Sequence, residues 1–177
     1  MTAQATDAFA ATPTKADLIE RINRAWSTLE GAIAGLGEEA LTTPGDDGWS
    51  VRDHLVHIEC WERYLLAILE RRSPSTAIGI DLATLRSTED DPLNELIRER
   101  ATEQPLSQVL ADLRRTHERL LAVAAALPEG DLERPAADYQ PEELADDTDS
   151  IAVWITHICD EHLRDHVGWI QGLTGSS

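Results

Sequence analysis

The sequence predicts an all-α protein, a four-helix bundle, from three observations. Four segments carry apolar residues every three or four positions, a hydroxyl residue with an acidic residue three places on stands before two of them, and Gly, Pro and Asp punctuate the links. Packing four apolar stripes against one another is the simplest way to bury them. The 177 residues suffice for one domain with a substantial core. It is expected over residues 14–173, with residues 1–13 a flexible arm and residues 174–177 a tail.

The first helix is expected from Lys15 to Leu36, capped by Thr14 with Asp17, with Leu18, Ile22, Ala25, Leu29, Ile33 and Leu36 as its stripe. After GEEALTTPGDDG, Ser50 caps a second helix running to Arg71, with Asp53 completing a capping box. Its apolar line is Leu55, Ile58, Leu65 and Leu69, with Glu62 among them, and His54, His57, Trp61, Tyr64 and Ile68 form an adjoining stripe suited to a pocket wall. Residues 73–104 predict an extended connection or lid ending in a short helix with Leu93, Leu96 and Ile97. The third helix, Leu106 to Leu127, places His117 on its inner stripe, where it is either a core histidine or a pocket residue. An acidic, turn-rich link leads to the fourth segment, Ser150 to Leu173.

That segment holds the most pointed chemical signal. His162 and His166 stand four residues apart, so their imidazoles leave one face of a helix and can share one ion. At about 100° per residue, Ile158, Cys159 and Trp169 share that broad face, whereas His157 points away. The best third ligand is His57, on a helix that an antiparallel bundle can bring alongside. Neutral imidazoles suit Zn²⁺ or Ni²⁺, and three protein ligands leave a position for water, thiolate or substrate.

With 33 Asp and Glu against 15 Lys and Arg, the formal net charge is -18. Such a surface repels nucleic acid and anionic membranes, so neither partner is expected, and it draws in a divalent ion or a cationic substrate. Cys60 and Cys159 lack framework spacing, and no secretory leader or membrane-length apolar run is visible, which points to the cytoplasm. Trp154 and Trp169 are candidates for a homodimer face or for core closure.

The segments GWSVRDHLVHIECWERYLLAIL and HICDEHLRDHVGWI resemble the DinB-like, or YfiT-like, superfamily of metal-binding four-helix proteins. DPLNELIRERATEQPLSQVLADLRRTHERLL resembles its ClbS/DfsB-like (DUF1706-like) branch. The resemblance implies an up-down-down-up bundle with a long connection between helices two and three. It places the metal ligands at His57, His162 and His166, and Val167 and Trp169 stand where the family often has Arg and Gln. Activities implied are transfer of a low-molecular-weight thiol to a small electrophile and, in the ClbS-like branch, hydrolysis. For metal-activated water, His54, His117 or Glu62 is the candidate catalytic proton-transfer residue. Trp61, Cys159 and Trp169 are candidate pocket residues, and a non-enzymatic metal- or ligand-binding protein is the third reading.

Overall fold

The computed structural model describes residues 13–175. Apart from Pro13, Thr174 and Gly175, the expected arm and tail lie outside the described residues. The chain forms α1 (Lys15–Ile33), α2 (Glu38–Thr42), α3 (Val51–Leu69), α4 (Pro74–Ile78), α5 (Leu82–Ser87), α6 (Asp90–Arg100), α7 (Leu106–Ala126), α8 (Ile151–Thr156) and α9 (His162–Thr174). A π-helical turn, His157–Glu161, joins α8 to α9. No strand is present among the described residues.

Both expected capping boxes form. The Asp17 amide donates to Thr14 Oγ1 while the Thr14 amide donates to the Asp17 carboxylate, and Ser50 and Asp53 repeat the exchange at α3. Each box satisfies two of the amides that a helix start otherwise leaves unpaired.

Four long elements close a ring in which α3 packs on α7 and α9, and α1 packs on the same two. Cross-links fix the directions. Arg52 at the start of α3 donates to the carbonyls of Ala101 and Gln104, just before α7. Further along, Thr116 donates to Glu59, and Arg119 pairs with Glu70. Residue numbers rise together, so α3 and α7 run parallel. His54 faces His166 and His57 faces His162, so α9 runs antiparallel to α3. The Lys15 ammonium donates to the Leu127 carbonyl, which sets α1 antiparallel to α7. The order is therefore up, down, down, up.

Parallel neighbours explain the length of the α3–α7 connection, because a 19-residue helix is about 28 Å long and the chain must return over that distance. Residues 70–105 make the return folded as α4, α5 and α6 rather than as the extended segment expected from sequence. Ser73, Asp81 and the Pro74 start supply caps and a helix-ready φ that the irregular apolar pattern obscures. Since α4 and α6 pack on α3 in addition to α7 and α9, α3 is buried almost all round. Only Arg52, Glu59, Trp61 and Arg63 along it escape burial.

The fourth element has an irregularity that periodicity alone misses. Ile151, Ile155, Cys159, Leu163 and Val167 recur every four residues, and each is at most 4% exposed. That interval drifts about 40° per step around an α-helix, so five such residues cannot all face one core. At the π-helical turn the His162 amide bonds back five residues to the His157 carbonyl. The wider turn absorbs drift and sets the phase of the two histidines that follow.

Candidate metal centre

His57 is brought in by the first half of α3, where the Ser50 cap starts the helix, and His162 and His166 by α9, whose phase the π-helical turn sets. Their ligand atoms all lie within 4.8 Å of one another. His162 Nε2 stands 2.9 Å from His57 Nε2 and 3.1 Å from His166 Nε2. With metal–nitrogen bonds of about 2.0–2.1 Å, a tetrahedral site has nitrogen–nitrogen edges of about 3.3 Å, so an ion would need small outward shifts only.

The electrostatics agree with that geometry. Burial, reinforced by the neighbouring imidazoles, lowers the His57 pKa to about 3, and burial first, then His157, lowers that of His162 to about 4. Burial and the other three rings push His166 down furthest. The three are therefore neutral near pH 7, the state that binds metal. Several lone pairs converge with too few protons between them, and His57 Nδ1 and His162 Nδ1 find no partner among the described residues. A bound cation relieves the first difficulty, so the residues fit a divalent ion of the Zn²⁺ or Ni²⁺ type.

His54 completes the cluster from behind, with its Nδ1 2.9 Å from His166 Nδ1. When His166 Nε2 faces an ion, its Nδ1 carries the proton and donates to His54 Nδ1, so His54 orients a ligand. Burial also lowers the His54 pKa, partly offset by Asp47 and Asp53.

The triad opens onto a cleft lined also by His54, Asp47, Trp49, Asp91, Asn94, Glu95 and Trp169. Trp169 is 55% exposed and packs on His54 and His166, while Trp49 packs on His54 and His57. The sequence reading missed Trp49 and the α6 residues. Trp49 directly precedes the Ser50 cap, which was a usable signal; Asp91, Asn94 and Glu95 depended on the register of α6, which the sequence left undetermined.

Other candidates fall elsewhere. Glu62 and His117 meet each other, with Oε1 and Nδ1 2.8 Å apart and side chains 1% and 3% exposed, and His117 stacks on Trp26 with ring centroids 3.8 Å apart. Neither lines the cleft. Cys159 is fully buried in the core, its thiol pushed well up by burial, and it does not belong to the nitrogen cluster. Trp61 reaches the flank of His57, at 6.2 Å between centroids, without lining the cleft. His157 is exposed and pairs with Glu161. Trp154 is half-buried and stacks on Tyr64.

A family model, described as the DinB superfamily, matches residues 21–170. The chain belongs to the DinB superfamily. Solved structures share its fold at low identity. A Streptococcus pneumoniae protein has a TM-score of 0.70 at 13% identity, over 92% of this chain and 91% of its own. An uncharacterised Escherichia coli UTI89 protein has a TM-score of 0.70 at 15%, over 93% and 95%. The colibactin self-resistance protein ClbS, solved in complex with double-stranded DNA, has a TM-score of 0.68 at 15%, over 93% and 97%. No curated protein matches. Among the described residues no helix is long and apolar enough to cross a membrane.

The depressed imidazoles make a pH prediction for the metal-free protein. An unfolded histidine titrates near pH 6.5, whereas folded His57 and His162 titrate near 3 and 4. Between those values the unfolded chain binds more protons, so stability is fully present above about pH 6.5 and is lost as pH falls towards 4. Urea unfolding at pH 7 and pH 5 should show that loss in wild type and a smaller one in His57→Ala; equal losses would contradict the assignment.

Proposed function

We propose that the chain is a divalent-metal-dependent enzyme that joins a small thiol to an electrophile, with His57, His162 and His166 as the metal ligands. The observation that carries the reading is the convergence of three neutral Nε2 atoms at the floor of an open cleft. Three protein ligands with a free fourth position characterise catalytic rather than closed structural sites. An ion held there supplies a lowered pKa for a thiol at that position, keeping it a nucleophilic thiolate at neutral pH.

The chain's own residues do the rest. His54 orients His166, and Trp49 and Trp169 wall the cleft and limit water around the sulfur. The thiol proton would leave to solvent and sulfur would form a bond to the electrophilic carbon; the electron pair goes to the displaced group of a halide, to the oxygen of an opened epoxide, or, in a maleate, to the neighbouring carbon, which then takes a proton from solvent. Water as the nucleophile calls for a placed base; Glu62 and His117 are buried against each other away from the cleft, which leaves His54, already engaged with His166 through Nδ1, as the one candidate of the three on the cleft wall. Duplex DNA is not part of this reading, because a chain of net charge -18 pays a repulsion that grows as salt falls.

The test is product mass from metal-loaded protein with a panel of epoxides, maleates and activated halides. Thiol incorporation that disappears on chelation and in His162→Ala is expected. Incorporation of water would favour hydrolysis, and no turnover with any electrophile would leave a binding protein.

A further inference from the structure

The return from α3 to α7 encloses a cavity that the metal centre does not use. Val56, Cys60 and Arg63 recur at helical spacing and line it from one stripe of α3, a different stripe from His54 and His57. Ile78, Ile80, Ile97 and Val109, all buried, complete an apolar floor with Cys60. The space is about 140 Å³ and shares no lining residue with the metal cleft. Protein interiors leave few voids larger than a water molecule, whereas a cavity of about 150 Å³ takes a benzene ring.

The polar part of the wall has a definite sign. Asp112 accepts from Gln104 at 2.8 Å and Gln108 at 2.6 Å and pairs with Arg115, so its charge is compensated. Glu59 accepts from Thr116 at 2.9 Å and stands 3.3 Å from Arg63 Nη2. Arg63 Nε is buried without a hydrogen-bond partner among the described residues, and a guanidinium nitrogen can only donate. Arg100, at the rim, donates to the Gly79 carbonyl and forms no ion pair among the described residues. Both cations are felt at the Cys60 thiol on the floor: burial pushes its pKa up to about 11, and Arg63 and Arg100 oppose the rise. The thiol therefore stays protonated near pH 7 and is no nucleophile. A buried donor without an acceptor, beside an uncompensated guanidinium, calls for an anion.

We propose that this cavity is a second ligand site, for a small molecule with an apolar body about the size of a phenyl ring and one carboxylate head. The body fills the floor against Ile80, Ile97 and Val109, and the carboxylate accepts from Arg63 Nε and pairs with Arg100. Binding is reversible, and it stands apart from the thiol-transfer reading.

Isothermal titration calorimetry of zinc-loaded protein with benzoate, benzamide and benzylamine, which share the ring and differ in charge, tests this. Wild type should bind benzoate at least about tenfold more tightly than benzamide, the margin of one charge-assisted hydrogen bond, and benzylamine least. Arg63→Gln and Arg100→Gln should each lower the benzoate affinity at least about fivefold, with zinc affinity held at the wild-type level as the sign of an intact fold. Arg100 holds only the Gly79 carbonyl, so its variant decides the matter even if Arg63→Gln does not fold. His162→Ala, which removes a proposed metal ligand, should bind benzoate as wild type does. Benzoate bound no more tightly than benzamide, a benzoate affinity unmoved in the folded arginine variants, or its loss in His162→Ala would each overturn the proposal.

Discussion

Replacing His166 with Ala should weaken Zn²⁺ binding at least about hundredfold, more than the 10–100-fold that supporting residues behind a ligand typically account for. The residue acts through both ring nitrogens. Its Nε2 stands 3.1 Å from His162 Nε2, and its Nδ1 stands 2.9 Å from His54 Nδ1. Loss of the first contact leaves two ligands, which rarely hold a divalent ion against water. Loss of the second leaves His54, whose Nε2 already lacks a partner among the described residues, with neither nitrogen bonded within them. A stranded buried polar group costs about 1–3 kcal/mol, so the metal-free variant should also unfold at lower urea. His157→Ala is the control, since that ring is exposed and paired with Glu161. Chelator competition should separate the two variants; equal loss in both would contradict the ligand assignment.

The second large effect lies in the core, away from the ion. His117→Ala should destabilise the protein by about 3–5 kcal/mol, the usual cost of removing one partner of a buried pair. Glu62 is 1% exposed, and its carboxyl, already pushed up by burial despite the hydrogen bond from His117, keeps no partner once the imidazole is gone. The stacking surface for Trp26 disappears with it. Replacing both residues by Leu should cost much less than the single change, because no polar group is then stranded. Zinc affinity should remain at the wild-type level in any variant that folds. If His117→Ala instead left stability intact and abolished turnover, His117 would have to be restored as a residue of the reaction.

These two cases show what could be read from the chain. Leu18, Ile22, Ala25 and Leu29 on α1, and Leu113, His117, Leu120 and Ala124 on α7, are buried as their spacing predicts, because one face of each helix meets one core. The proximity of His57 to His162 and His166 was also legible, since a helical pair and a third histidine on an antiparallel neighbour need only the bundle to meet. Glu62 and His117 were each recognisable as inward-facing, but their pairing depends on the parallel register of α3 and α7, which neither helix encodes by itself. Cys159, one turn before His162, was open between core packing and a pocket role, and packing is what the structure shows. A uniform 100° advance leaves it about 40° from Ile155 and Leu163 and about 60° from His162, so spacing alone did not decide between the two faces. The cleft wall from α6 was hidden because α4, α5 and α6 are short and their caps, not their apolar pattern, define them.

The most direct test of the central claim is a metal-resolved crystal structure, with X-ray absorption, of freshly purified protein never exposed to a nickel column. The account predicts one ion per chain, bound by Nε2 of His57, His162 and His166 at about 2.0–2.1 Å, with its fourth position facing Trp49 and Trp169. A chain that purifies with far less than one equivalent of metal, or with an ion held by other residues, would contradict it.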